Sequence, residues 1–324
     1  MKIAVLGAGA IGAYVGASLA RGGADVHLVA RRDNLAAMRE NGVRVLSERG
    51  DFHVQVSATD DPAEIGPVDV VFLGLKSNSY AGARPLLEPL MRPDTAVVAA
   101  QNGIPWWYFH GYGGPYDGRR IESVDPDGSV SAAIAPERAI GCVAYPATVL
   151  EQPGVVRHLE GTRFSIGEPD RSRSERCERF SEAMVAGGLK CPIEQDLRND
   201  IWVKLMGNVS FNPLSALTRA TMVSICRHAE TRALVVAMME EMLAVARALG
   251  YELDISIEKR LAGAEAVGEH KTSTLQDLEA GKQLELAAII GAVVELADLT
   301  ETPVPSIRAV NAATKLLAET EVPD

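Results

Sequence analysis

The sequence predicts an α/β N-terminal domain with a mostly parallel sheet over residues 1–195, followed by an all-α C-terminal domain over residues 196–324. Three observations predict it. A short buried strand runs into a glycine-rich turn and a small-residue helix at the N-terminus. Apolar strands then alternate with helices through the first half, and after about Gln195 only helical spacing remains. At 324 residues, 47% of them apolar, the chain is long enough for two cores.

Lys2–Leu6 reads as the first strand and runs directly into Gly7-Ala8-Gly9-Ala10-Ile11-Gly12, a G-x-G-x-x-G opening a helix to about Arg21. Gly22-Gly23 closes that helix and residues 25–30 form the next strand. In this strand–turn–helix–strand setting Gly7 permits the turn, Gly9 lets backbone approach a pyrophosphate, and Gly12 lets helix and strand pack closely. The amides of Ala10, Ile11 and Gly12 then point at the phosphates. This is the pattern of a Rossmann-type dinucleotide site. An NAD site usually places an acid at the end of the second strand, whereas Ala30-Arg31-Arg32 stands there. The guanidinium of Arg31 suits the 2′-phosphate of NADPH, with Asp33 expected as the N-cap of a helix over 34–40.

Further along, residues 43–46 and 52–56 read as a hairpin, and residues 69–75 and 95–100 as buried strands. Lys76 and Asn102 follow those two strands, where an open α/β sheet binds its ligands. Residues 104–135 show no period and hold six aromatics among glycines, a loop covering a site, an interface, or a self-packed segment. Residues 138–148, 154–159 and 163–166 are expected as antiparallel strands extending the sheet, with a helix over 171–187 and a last strand over 189–193.

The second half opens on a helix over 202–217. At about 100° per residue, Lys204, Asn208, Asn212 and Ser215 fall on one stripe, and the other faces are apolar. An ammonium and two amides beside so much apolar surface need partners, as the wall of a site would supply. Pro213 cannot donate to the Val209 carbonyl, so a kink or an end is expected there. Helices over 232–249, 254–267, 275–299 and 306–319 complete the domain.

A net charge of −11 argues against a nucleic-acid protein while leaving room for an anionic ligand held by local cations. Cys142, Cys177, Cys191 and Cys226 are far apart and without metal-ligand spacing, which predicts a reduced, cytoplasmic protein with no structural metal. Glycines interrupt the apolar N-terminus, against a secretory signal, and no stretch has the length of a membrane span.

Taken together, the chain resembles the ketopantoate reductase (2-dehydropantoate 2-reductase) family, within the 6-phosphogluconate-dehydrogenase-like enzymes, over nearly its whole length. The resemblance rests on Gly7 to Gly12 with Arg31, Leu75-Lys76, Asn102-Gly103, Lys204 with Asn208 and Asn212-Pro213, and Lys271-Thr272-Ser273-Thr274-Leu275-Gln276-Asp277 followed by Glu285. On physical grounds alone the last segment reads as helix-cap chemistry and Glu285 as a solvated helix residue. The resemblance implies NADPH as cofactor and a small 2-keto acid as substrate, reduced to pantoate for pantothenate synthesis. It makes Lys204 the general acid at the keto oxygen, with Glu285 near it helping to set its protonation. Asn102, Asn208, Asn212 and Ser273 would hold substrate or support Lys204, and Lys76 and Asn102 would line the cofactor boundary. The apolar helical domain is compatible with a homodimer. Two features depart from the family: Arg219-Ala220-Thr221-Met222 stands where a further substrate-binding Asn is expected, and the aromatic loop is long. They keep two alternatives open, a reductase of another 2-keto acid and a non-catalytic NADP-binding redox sensor.

Overall fold

The structure, a computed structural model, describes residues 1–322. The chain divides into two compact units. One holds Met1–Gln101, Trp106–Arg120 and Gly128–Leu197; the other holds Asn102–Pro105, Ile121–Asp127 and the chain from Arg198 onward, so the backbone passes between them five times.

In chain order the first unit contains β1 (Lys2–Leu6), α1 (Ala10–Arg21), β2 (Asp25–Val29), α2 (Arg32–Asn41), β3 (Val43–Ser47), β4 (Phe52–Val54) and β5 (Ser57–Thr59). Then come β6 (Val70–Leu73), α3 (Arg84–Leu87), β7 (Ala96–Ala100), α4 (Ser129–Ala133), β8 (Ala139–Ala144), β9 (Ala147–Gln152), β10 (Val155–Glu160), β11 (Phe164–Gly167) and α5 (Glu175–Ala186). The main sheet has the order β11-β8-β7-β6-β1-β2-β5 and is parallel except for β11. Ile3, Val5, Leu28, Val70, Phe72, Val98 and Ile140 form the heart of its core.

The strands expected over 138–148 and 154–159 do not all extend this sheet. The first divides at Tyr145-Pro146, where proline offers no ladder donor, and β8 pairs parallel to β7. Both β9 and β10 join a second sheet of order β4-β3-β10-β9, in which β10 runs parallel to β3. Its reason is α1. Every residue from Gly12 to Leu19 is buried, and a helix apolar on all sides needs a wall on each. The main sheet supplies one wall and the second sheet the other, with Tyr14 stacked on His158 of β10 at 4.8 Å. His158 in turn pairs its Nδ1 with the Ser47 hydroxyl at 2.9 Å.

Other boundaries shift for local reasons. Residues 189–193 form isolated bridges and no strand, because Pro192 interrupts the pairing. Helix α2 begins at Arg32 with Arg31 as N-cap, so Asp33 lies in the first turn and is not the cap; its charge still faces the positive helix end. Within 106–120 the aromatics pack on one another. Phe109 meets Tyr112 edge-on at 4.9 Å and Tyr116 at 5.6 Å, Trp106 to Phe109 are all buried, and Trp106 Nε1 donates to the Ile134 carbonyl at 3.0 Å.

The second unit is helical: α6 (Leu197–Thr218, its first residue in the other unit), α7 (Met222–Arg227), α8 (Ala229–Ala248), α9 (Ile257–Ala266), α10 (Ser273–Glu279), α11 (Ala292–Leu299) and α12 (Pro305–Glu321). Helix α6 does not end at Pro213 but continues to Thr218. The single helix expected over 275–299 is two. Helix α10 stops at Glu279, where Gly281 turns left-handed (φ +61°) and the Lys282 amide closes onto the Asp277 carbonyl at 2.8 Å. After an irregular stretch, a π-turn (Ala287–Gly291) leads into α11. Glu241 of α8 caps α12 by accepting the Ser306 and Ile307 amides at 2.9 Å each.

All four cysteines are unbridged and buried. Burial, and then the Glu168 carboxylate, pushes the Cys177 thiol up to about 12, and burial pushes Cys191 up to about 12. Since the thiolate is the reactive species, the native protein is expected to leave a colorimetric thiol reagent almost unconsumed at mildly alkaline pH, with four equivalents released on denaturation. Prompt reaction of the native protein would contradict this burial.

Candidate active site

In the first unit the carboxyl ends of β1, β2 and β6 lie in register, Leu6 beside Val29 and Leu73. The residues that follow them therefore share one sheet edge: the glycine turn after β1, Arg31 after β2 and Lys76 after β6. Gly7 has φ +91° and packs where a Cβ would stand 2.7 Å from Leu75 Cδ2. A Cβ on Gly12 would collide with the Gly7 carbonyl oxygen and lie 3.2 Å from Val5 Cγ1. Gly9 differs, because a Cβ there would meet no atom within 4 Å. It is the N-cap of α1 and provides no side-chain acceptor to the orphan amides of the first turn. Open space before unpaired helix amides fits a pyrophosphate, so the residues present suit a dinucleotide.

Arg31 and Arg32 are both exposed at the start of α2, and Arg32 holds a left-handed backbone (φ +54°). Lys76, half-buried, precedes the short 3-10 turn Ser77–Ser79. Two residues at this edge have no sequence signature. A Cβ on Gly74 would strike the same Gly7 carbonyl and come within 2.9 Å of Gly12 Cα. Asn34 of α2 donates through Nδ2 to the Ala8 carbonyl at 2.6 Å and accepts the Gly154 amide through Oδ1 at 2.9 Å. It thus ties the glycine turn to the β9–β10 hairpin.

In the second unit α6 carries Lys204, Asn208 and Asn212 on successive turns; the first two are partly exposed and Asn212 is 6% exposed. Around them Trp202, Leu205, Met206, Val209, Phe211 and Leu214 are buried. Ser215 leaves the row, since its hydroxyl donates to the Ala220 carbonyl at 2.7 Å and closes the helix end. Ser273 is the exposed first residue of α10, which Thr272 caps by accepting the Leu275 amide at 3.3 Å. Glu285 is half-buried just before the π-turn, and its carbonyl accepts the Ile289 amide at 3.2 Å. Asn102, also half-buried, belongs to this unit. A second cation lies beside the row: the Arg260 guanidinium covers Gly207, where a Cβ would stand 3.0 Å from its Cζ. Only the missing side chain of Gly207 makes room for it. Among the described residues no cluster of His, Cys, Asp or Glu could hold a metal ion.

Models of known families match both halves of the chain: "Ketopantoate reductase PanE/ApbA" over residues 3–106 and "Ketopantoate reductase PanE/ApbA C terminal" over residues 196–318. The chain belongs to the ketopantoate reductase family. It is 47% identical to the 2-dehydropantoate 2-reductase of Mesorhizobium japonicum over 319 residues, 98% of each chain. Among solved structures, the 2-dehydropantoate 2-reductase of Geobacter metallireducens GS-15 is 31% identical with a TM-score of 0.86, covering 98% of this chain and 100% of that one. That of Methylococcus capsulatus is 29% identical with a TM-score of 0.83, covering 99% and 98%. Both domains of the family fold are thus present, an α/β unit with a mostly parallel sheet and a helical unit.

Removing the Asn34 amide leaves a buried-loop carbonyl and an amide without their partner. Asn34→Ala is expected to cost about 1–3 kcal/mol in a denaturant melt and to weaken dinucleotide binding in a fluorescence titration. An unchanged melt with unchanged binding would remove Asn34 from the support of the glycine turn.

Proposed function

We propose that this chain reduces 2-dehydropantoate to pantoate for pantothenate synthesis, with NADPH as reductant and Lys204 as proton donor. The observation that carries the residue roles is the row Lys204, Asn208, Asn212, one ammonium and two amides on successive turns of a helix, flanked by the buried Trp202, Leu205, Met206, Val209 and Leu214. When bound, NADPH supplies the hydride that attacks C2 of the keto acid. Negative charge then grows on the keto oxygen, and the Lys204 ammonium is the group that stabilises it and delivers the proton, completing the alcohol. Asn208 and Asn212 offer amide donors and acceptors to the substrate's polar groups, joined by Asn102 and the Ser273 hydroxyl. Glu285 supplies the carboxylate that balances Lys204.

The division of labour follows the two units. The α/β unit holds the cofactor through Gly7, Gly9, Ala10, Ile11, Gly12, Arg31 and Lys76, and the helical unit, Asn102 included, holds the substrate and Lys204. Arg31, exposed at the end of β2, is the fork for the 2′-phosphate. The four unbridged cysteines favour a reducing compartment, the cytoplasm. One observation favours a second reading, reduction of a different 2-keto acid. Where the family places a further amide, Arg219 is paired with Glu321 at 3.2 Å and Met222 opens α7, so the side-chain chemistry at that position differs.

Lys204→Ala is expected to lower turnover by about two to four orders of magnitude with little change in NADPH affinity, followed as loss of NADPH absorbance. Near-normal turnover would remove Lys204 from its role. Wild-type turnover with 2-dehydropantoate beside a panel of other 2-keto acids decides between the two substrates, and NADPH binding with no turnover on any of them would make the protein a sensor. Arg31→Ala is expected to weaken NADPH about 10- to 100-fold and NADH little, since a charge-assisted bond to phosphate is lost only for the former. Equal losses for both cofactors would sink the 2′-phosphate assignment.

A further inference from the structure

The segment after β7 rests on the helix that starts next to Glu285. The Ile104 amide donates to the Ala288 carbonyl at 2.8 Å. Gly103 has φ +80°, and a Cβ on it would collide with that carbonyl and lie 2.8 Å from the Ile289 nitrogen. The π-turn explains why the carbonyl can take this partner. In an α-helix the Ala292 amide would bond Ala288, but here it reaches back to Ala287.

Seven residues after Ala288, on the α-helix that the π-turn leads into, stands Glu295. Its carboxylate accepts the Glu122 amide at 2.7 Å, the Ser123 amide at 2.7 Å and the Ser123 hydroxyl at 2.6 Å. Between them in sequence, Gly291 lies against Ser123, a Cβ there meeting its Oγ at 3.9 Å. Both returns of the long segment, 102–105 and 121–127, are thus fastened to the π-turn and the helix it opens, and all these residues belong to one unit.

We infer that the π-turn and Glu295 form a clamp that positions Asn102 for the 2-keto acid, with Gly103 and Glu295 as positioning residues. The inference rests on the proposed reduction and deepens it. Asn102 is adjacent to Gly103, and Glu285 lies three residues before Ala288, so the clamp fixes a substrate amide relative to the carboxylate proposed to serve Lys204. Charge-assisted acceptance of two backbone amides makes Glu295 the stiffer of the two fastenings.

Gly103→Ala is expected to lift the segment off Ala288. The KM for 2-dehydropantoate should rise about 10- to 100-fold while NADPH affinity stays within about twofold, the signature of a displaced substrate group rather than a damaged fold. Should that variant not fold, Glu295→Ala is expected to raise the same KM at least about threefold, with Glu295→Gln, which keeps one acceptor oxygen, falling between it and wild type. Unchanged KM in a folded Gly103→Ala or Glu295→Ala variant overturns the inference. Amide hydrogen exchange separates this result from failure of the proposed reduction. If wild type reduces no 2-keto acid, the reduction is wrong, and the clamp is then decided by exchange alone. Faster exchange of Ile104 in Gly103→Ala, or of Glu122 and Ser123 in Glu295→Ala, upholds the fastening of the segment to the π-turn and Glu295, and unaltered protection overturns it.

Discussion

The nucleotide unit is built around one oxygen, the Gly7 carbonyl. Side chains on either Gly12 or Gly74 would strike it, while the Gly7 and Ala8 amides bond the Val29 carbonyl at 3.2 and 3.1 Å. The ends of β1, β2 and β6 are therefore drawn to a single turn, and α1 leaves that turn at the distance glycine alone permits. A methyl group at either contact would push helix from sheet and turn from strand together. The same closeness puts α1 deep between two sheets, so the requirement for a second, four-stranded sheet descends from the first turn of the chain.

The helical unit solves a different problem, how to keep polar groups on a buried scaffold. Helix α6 surrounds Lys204, Asn208 and Asn212 with large apolar side chains that fix its orientation, and gives up Gly207 to the Arg260 guanidinium. Lys204 of α6 and the Arg260 guanidinium of α9, packed over Gly207 of α6, bring two cations to one helix and create a local field suited to an anionic 2-keto acid in a protein whose overall charge is −11. Local arrangement outweighs the net charge at such range.

What could be read from the sequence was whatever a local pattern specifies. The β1–α1–β2 unit was legible because the strand, the glycines and the helix follow one another within 30 residues, and the row on α6 because a period of 3.6 displays it. The second sheet was not, since β3 pairs with β10 across more than a hundred residues and neither strand carries a sign of its partner. Gly74, Asn34 and Arg260 were hidden for the same reason: each matters through a contact with a residue distant in sequence. The split of 275–299 depended on one left-handed glycine within an otherwise helical pattern. Ser273 and Glu285 had no physical signature at all and became candidates only through the family resemblance.

The path of the backbone between the two units has a bearing on how the molecule can be taken apart. Because short stretches at 102–105 and 121–127 belong to the helical unit, no single cut in the chain separates the halves cleanly. A fragment beginning near residue 196 would lack the peptides that occupy the Ala288 carbonyl and the Glu295 carboxylate, leaving both acceptors without those donors. A fragment ending there would carry those peptides with nothing to bind. The two halves of this enzyme are therefore one inheritance: they can be shuffled with relatives only if the long segment after β7 travels with the helices it is fastened to.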